Sequence, residues 1–95
     1  MRHAAKRDET EAAIMDALRA DGWVVSQLSG EGVPDLVASK HGRWELFECK
    51  SKGGSLTAAQ REFIRTHKAP VWVVSSAEEA LEVARKLADT VRGAA

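Results

Sequence analysis

The stretch from Gly32 to Lys50, Gly-Val-Pro-Asp-Leu-Val-Ala-Ser-Lys-His-Gly-Arg-Trp-Glu-Leu-Phe-Glu-Cys-Lys, constrains this chain more than any other. It reads as a β-hairpin with its turn at His41-Gly42, because Gly accepts positive φ freely and His tolerates it better than most residues. A two-residue loop pairs Lys40 with Arg43. Counting back from that pair sets Asp35 directly opposite Glu48. Residues opposed in this way have Cβ atoms roughly 4.5 to 5.5 Å apart, and like charges there destabilise the pair unless something compensates them. A hard divalent cation such as Mg²⁺ suits two carboxylates at that separation. Lys50, two residues beyond Glu48, projects to the same face. A three-residue loop would shift the register by one and part the acids. Taken singly, each half is ordinary: Glu-x-Lys is common on solvated strands, and Pro-Asp commonly opens turns.

Ninety-five residues allow one domain, residues 1–95, with a single core and no separate substrate domain. Hydrophobic residues make up 44% and charged residues 29%, an ordinary globular balance without repeats or low-complexity tracts. No run approaches the ~18 apolar residues of a membrane span. The polar start, Met-Arg-His-Ala-Ala-Lys-Arg-Asp-Glu, lacks the apolar core of a signal peptide. A cytoplasmic location, in a prokaryote or a phage-infected cell, is the default expectation. Cys49 is the single cysteine. Its alternation with Glu48 and Lys50 points it into the core as a buried thiol.

Fourteen basic and fourteen acidic side chains cancel, so net charge does not hold this protein to nucleic acid. A local basic rim is still available from Arg2, Lys6 and Arg7, from Lys50 and Lys52, and from Arg61, Arg65 and Lys68. Each also reads as a plain solvated charge.

Along the chain, an Ala-rich charged segment from about Lys6 to Asp21 reads as a first helix stopped by Gly22. On a helical wheel, Ile14 and Leu18 fall to one side of Glu11 and Met15 to the other, which puts Glu11 mid-stripe. A carboxylate there is costly unless paired or holding a metal; the alternative is a first-turn acid favoured by the helix dipole. Trp23 to Leu28 reads as the first strand, and the hairpin supplies the second and third. Ser51 to Ser55 is a flexible loop, either bordering a substrate phosphate or serving as a connector. Thr57-Ala-Ala-Gln60 has the capping-box pattern and starts a second helix running to about His67. Gln60 has two readings, a partner of the Thr57 backbone or, lying between Phe63 and Ile64 on the wheel, a core-side residue. Pro70 to Ser75 is apolar enough for a strand buried on both faces, pairing parallel to the third strand through the helical crossover. Ser76 with Glu79 suggests another capping box opening a structural helix over Ala77 to Val91. His3, His41 and His67 are dispersed, with no zinc spacing.

This order, α-β-β-β-α-β plus a C-terminal helix, together with Gly32-Val33-Pro34-Asp35-Leu36, Glu48-Cys49-Lys50 and Gln60, resembles the PD-(D/E)XK nuclease superfamily. The chain is most similar to its VRR-NUC, or virus-type replication-repair nuclease, branch. The resemblance runs from the first helix through the fourth strand. It implies an α/β fold with a PD-(D/E)XK nuclease-like core, a mixed four-stranded sheet flanked by helices.

It further implies Asp35 and Glu48 as metal ligands, with the backbone carbonyl of Cys49. Lys50 is the motif lysine, Gln60 the auxiliary glutamine, and Glu11 the auxiliary acid, reaching the metal directly or through water, with Glu9 the other candidate. The implied cofactor is Mg²⁺, with Mn²⁺ as substitute. The implied reaction is phosphodiester hydrolysis to 5′-phosphate and 3′-hydroxyl ends, with Lys50 orienting or deprotonating water or meeting charge on the phosphate. A base role would require its pKa to fall well below that of free lysine.

On size, a structure-directed endonuclease acting on branched or junction DNA in replication, repair or recombination is expected ahead of a restriction-type enzyme, since little chain remains for reading bases. The competing class is a non-catalytic nucleic-acid-binding module with the same fold. Candidate nucleic-acid contacts are Lys6, Arg7, Lys52, Arg61 and Arg65. One site cuts one strand, and the apolar surplus, including Trp23, Trp44 and Trp72 on strands, either leaves material for an interface or is the core and rim of a monomer; the resemblance implies the homodimer.

Overall fold

The computed structural model describes the backbone of residues 2–94 and the side chains of residues 9–89. Helix α1 (Arg2–Ala20) is followed by strands β1 (Val24–Gln27), β2 (Leu36–Lys40) and β3 (Arg43–Cys49), helix α2 (Ala58–His67), strand β4 (Val71–Val74) and helix α3 (Ala77–Ala94). The element order is the expected one. The first helix starts nearer the N-terminus than Lys6, so the backbone at Arg2, Lys6 and Arg7 is within it; their side chains lie outside the described residues. Val91, expected on the last helix, also has its side chain outside them.

The four strands form one mixed sheet in the order β1-β2-β3-β4, antiparallel up to β3 and parallel between β3 and β4. The hairpin turn has the anticipated length. His41 and Gly42 sit at φ 56° and 78°, the two positive values that a type I′ turn requires. Lys40 therefore pairs with Arg43, and the register continues to Leu36 opposite Phe47.

Alternation divides the sheet into two unlike faces. One face sends Val25, Leu36, Ala38, Phe47, Cys49 and Val74 into a core closed by Ile14, Met15 and Leu18 of α1 and by Ala80, Ala84 and Leu87 of α3. The mid-stripe placement of Glu11 holds, since Glu11, Ile14, Met15 and Leu18 are all buried. Cys49 is a free, buried thiol, as its strand position predicts. Glu45 is also buried on this side and is satisfied by Trp72 Nε1 at 2.8 Å and Arg43 Nε at 3.0 Å.

Three expectations need correction. Strand β4 is an edge strand with one neighbour, and Val73 is 46% exposed; an apolar run does not distinguish a central strand from an edge strand whose second face is open. Trp23 precedes β1 instead of lying on it, and it is buried, whereas Trp44 on β3 is 73% exposed. Helix α2 buries no residue fully, so Phe63 and Ile64 are only half-covered instead of facing a core.

The starts of α2 and α3 are capped. Around Thr57 the box is complete: Gln60 N donates to Thr57 Oγ1 and Thr57 N donates to Gln60 Oε1. At α3 the Ser76 hydroxyl accepts from Glu79 N, but the Glu79 carboxylate reaches one residue further back, accepting from Ser75 N and Ser75 Oγ. Gly32 lets α2 approach the β1–β2 loop. It sits at φ +77°, and a Cβ there would lie 2.5 Å from the carbonyl oxygen of Ala59, so no side chain is tolerated without moving the helix.

Candidate active site

Extending the hairpin register one pair beyond Leu36 and Phe47 brings Asp35 opposite Glu48. Each is only 2% exposed. Asp35 lies just outside the strand and is held at both ends of its residue. Its carbonyl accepts from Leu28 N at 2.8 Å, which ties it to the end of β1. Its carboxylate Oδ2 accepts from Cys49 N at 2.8 Å, which ties it to the end of β3. A backbone N–H fixes this carboxylate more firmly than a flexible side chain would.

Glu48 points to the face opposite the core, on the same side as Lys50. Its Oε2 accepts from Gln60 Nε2 at 2.9 Å. The Lys50 ammonium stands 3.7 Å from the same oxygen, an ion pair slightly too long to be a hydrogen bond. Lys50 is itself positioned through its backbone, which donates to Val74 O at 2.9 Å and so prolongs the β3–β4 ladder.

The capping reading of Gln60 holds, and its other end turns to Glu48 instead of the core. Its amide oxygen completes the capping box while its amide nitrogen donates to Glu48. The residue that starts α2 therefore also anchors that helix to the acid end of the sheet.

On α1, Glu11 is 7% exposed whereas Glu9 is exposed, so burial separates the two candidates. Glu11 Oε2 accepts from Gln27 Nε2 at 2.8 Å. Gln27 pairs with Leu36, one residue from Asp35, and so joins Glu11 to the strand end carrying the acids. Sequence reasoning passed over Gln27. A single polar residue at a strand end carries no spacing signal, and only the pairing of β1 with β2 exposes its place.

Among the described residues no three His, Cys, Asp or Glu side chains converge as a metal-binding group. The structure thus brings together Asp35, Glu48, Lys50 and Gln60, with Glu11 joined through Gln27. Two carboxylates are nevertheless the donor chemistry that Mg²⁺ takes, with waters filling its remaining positions. Two buried, opposed carboxyl groups repel when both are ionised, and a cation between them would relieve that repulsion.

The expected cationic rim is only partly presented. Lys52 and Arg61 are exposed, although Arg61 Nη1 donates to Leu56 O at 2.7 Å. Arg65 is tied to Glu62 on its own helix. The Arg65 guanidinium, helped by the Thr66 hydroxyl, holds the Glu62 carboxyl below its ordinary range, and Glu62 holds Arg65 above its own. Lys6 and Arg7 fall outside the described side chains. No helix among the described residues is long and apolar enough to cross a membrane.

Comparison with known proteins adds no relative. No family model, no curated protein and no solved structure matches this chain.

Proposed function

We propose that this chain is a Mg²⁺-dependent nuclease that hydrolyses phosphodiester bonds in DNA, with branched or junction DNA as substrate, and that it works as a homodimer in replication, repair or recombination. One observation carries the reading. Two carboxylates, each 2% exposed, are opposed at a sheet end, and one of them is met by both a lysine ammonium and a glutamine amide. Burying two like charges costs several kcal/mol unless they are compensated. A purely structural site would not need this arrangement, because apolar residues would pack the same space at lower cost.

The residues that would hold the ion are Asp35 and Glu48, with the Cys49 carbonyl, and Glu11 through water. Mn²⁺ could substitute. When bound, the metal supplies polarisation of a phosphoryl oxygen and a water acidic enough to attack near neutral pH. The chain's own residues supply orientation. Cys49 N fixes the Asp35 carboxylate and Gln60 fixes the Glu48 carboxylate. Lys50 carries its positive charge to the edge of the acid pair, where it can orient water or meet charge developing on the phosphate. Gln27 keeps the Glu11 carboxylate directed toward this end of the sheet.

The test is to incubate the protein with single-stranded, duplex, flapped and four-way-junction DNA in Mg²⁺, Mn²⁺ or EDTA. Cleavage leaving 5′-phosphates, absent in EDTA and strongest on branched substrates, is expected. Lys50→Ala should retain metal binding and lose turnover by a factor on the order of 10² or more. No cleavage of any substrate by the wild type, or cleavage at the wild-type rate by the Lys50 or Glu48 variants, would overturn the assignment.

A further inference from the structure

Trp44, Leu46 and Glu48 are alternate residues of β3 and point to one sheet face, the face opposite the core that takes Phe47 and Cys49. Lys50 continues the line. The hairpin end of this face and the acid pair therefore belong to one surface, with Trp44 four residues from Glu48, roughly 13 Å along the strand. Trp44 is 73% exposed, and Val24, in the same row of the ladder, 69%. Between Trp44 and Glu48 the floor is made by Ser39, Val37 and Leu46, all half-buried and none of them an acid that would repel a polyanion.

Beside Trp44 the face opens into a hollow of about 430 Å³, walled by Val24 and Ser39 on the strands and by Lys40 and His41 at the turn. That volume falls within the roughly 300 to 1,000 Å³ of small-molecule sites. The lining has two characters. Indole and valine supply apolar surface, while the Ser39 hydroxyl, the Lys40 ammonium and the His41 imidazole supply hydrogen-bonding groups. Lys40 is held in place by the carbonyl and the carboxylate of Asp21, two bonds that do not exhaust the three donors of an ammonium.

This mixture selects the occupant. Lysine is depleted at the centre of protein–protein interfaces, yet Lys40 lines the hollow next to the most exposed large apolar side chain among the described residues. A nucleobase matches both characters, with a π-face for the indole and a polar edge and phosphate for the donors around it. Duplex DNA does not match. Its base faces are covered by their stacked neighbours, so an indole reaches a base face only where the strand is unpaired or where unstacking has been overcome at a cost of a few kcal/mol. Continuity with the acid pair on the same face decides between a bystander nucleotide and one belonging to the strand being cut.

We propose that Trp44 is a stacking platform for an unpaired base of the substrate strand, which runs from there along β3 over Leu46 and brings a phosphate to Glu48 and Lys50. The inference rests on the nuclease reading and deepens it by naming the form of DNA the site takes: a strand with an unpaired nucleotide at a fixed, short distance from the cut, as at a flap or branch. Every base has a π-face, so the platform sets where the cut falls and leaves the sequence free.

Binding of labelled oligothymidine and of a blunt duplex to the full chain, followed by fluorescence anisotropy in EDTA, tests this with wild type, Trp44→Ala, Trp44→Phe and Val24→Glu, each checked for folding by circular dichroism. Trp44→Ala should bind oligothymidine more weakly by a factor on the order of 10 or more, and Trp44→Phe, which keeps a ring, by less, while duplex binding stays the same. Oligothymidine should quench the tryptophan fluorescence of the wild type and not that of Trp44→Phe, whose remaining indoles are Trp23 and Trp72. Should Trp44→Ala fail to fold, Val24→Glu decides, since an acid in the hollow repels the phosphate. Equal affinity of wild type and the folded variants for oligothymidine, or no binding by the wild type, would overturn the inference. So would a wild-type dimer in sedimentation velocity that Trp44→Ala dissociates, which would seat a second copy on this face. Cleavage in Mg²⁺ is read separately: stacking without cutting defeats the nuclease reading alone, and cutting at unchanged rate and position by Trp44→Ala defeats this one alone.

Discussion

The acids at the sheet end are not equivalent as residues, and their substitutions should separate. Asp35 satisfies Cys49 N inside the structure, so Asp35→Ala leaves a buried N–H without its acceptor, a loss of about 1 to 3 kcal/mol. Asp35→Asn keeps an acceptor oxygen. Glu48 receives side-chain donors that can turn elsewhere, and removing its charge relieves the repulsion with Asp35. Without metal, Glu48→Gln should therefore melt at or above the wild-type temperature, Asp35→Asn near it and Asp35→Ala below it, while all three lose cleavage. Thermal denaturation in EDTA, read beside a nuclease assay, checks this. Loss of activity only in proportion to lost folded protein would show that the acids do not act on substrate. Gln60 can be divided in the same way. Gln60→Glu keeps the oxygen that caps Thr57 N but replaces the amide donor to Glu48 with a third carboxylate, whereas Gln60→Ala removes both bonds. We expect Gln60→Ala to lower stability by about 1 kcal/mol through the cap and Gln60→Glu to retain α2 by circular dichroism; both should cut poorly. Full activity in Gln60→Glu would reduce the glutamine to a cap.

The start of α3 gives a pH dependence at the scale of elements. The Ser75 backbone N–H, then the Ser75 hydroxyl, hold the exposed Glu79 carboxyl below the ordinary glutamate value, with a smaller contribution from the charge of Lys52. A carboxyl whose folded pKa is depressed stabilises the fold fully above the unfolded value, and that contribution is lost as pH falls through the folded one. Wild type should accordingly lose stability below pH 4.5 more steeply than Glu79→Gln. Parallel melting curves for the two across that range would show that the carboxylate does not cap the helix. How much could be read from sequence also differed by element. The hairpin was legible because His-Gly dictates a two-residue turn and strand periodicity then propagates the register to Asp35 and Glu48. Of the double use of Gln60 only the cap was legible, since spacing reports a residue's direction and not that an amide has two ends. The openness of β4 was hidden because valines on an edge strand look the same as valines in a sheet centre. Gln27 and the exposure of Trp44 depended on which strands neighbour which and on which sheet face the helices cover, and a chain of short strands does not encode that locally.

For the whole molecule, the site is a place where folding and ligand binding are one equilibrium. Asp35 enters from the β1–β2 loop, Glu48 and Lys50 from the end of β3, and Gln60 from α2, so no unfolded chain assembles this donor set. An ion that binds only the native state stabilises it by RT ln(1 + [L]/Kd), about 1.4 kcal/mol at ten times the dissociation constant. For a domain of this size that is a rise of roughly 6 to 11 °C in Tm. Titrating Mg²⁺ or Mn²⁺ into metal-free protein should raise Tm logarithmically with concentration, and EDTA should reverse it. The protein concentration must be held constant, because a dimer's melting point depends on it in the same way. In the Asp35→Asn/Glu48→Gln double variant the shift should vanish while the metal-free Tm stays near wild type, since one substitution keeps the acceptor for Cys49 N and the other relieves repulsion. A stabilisation that survives in the double variant would locate the ion elsewhere and remove the physical reason for two buried, opposed carboxylates at this sheet end.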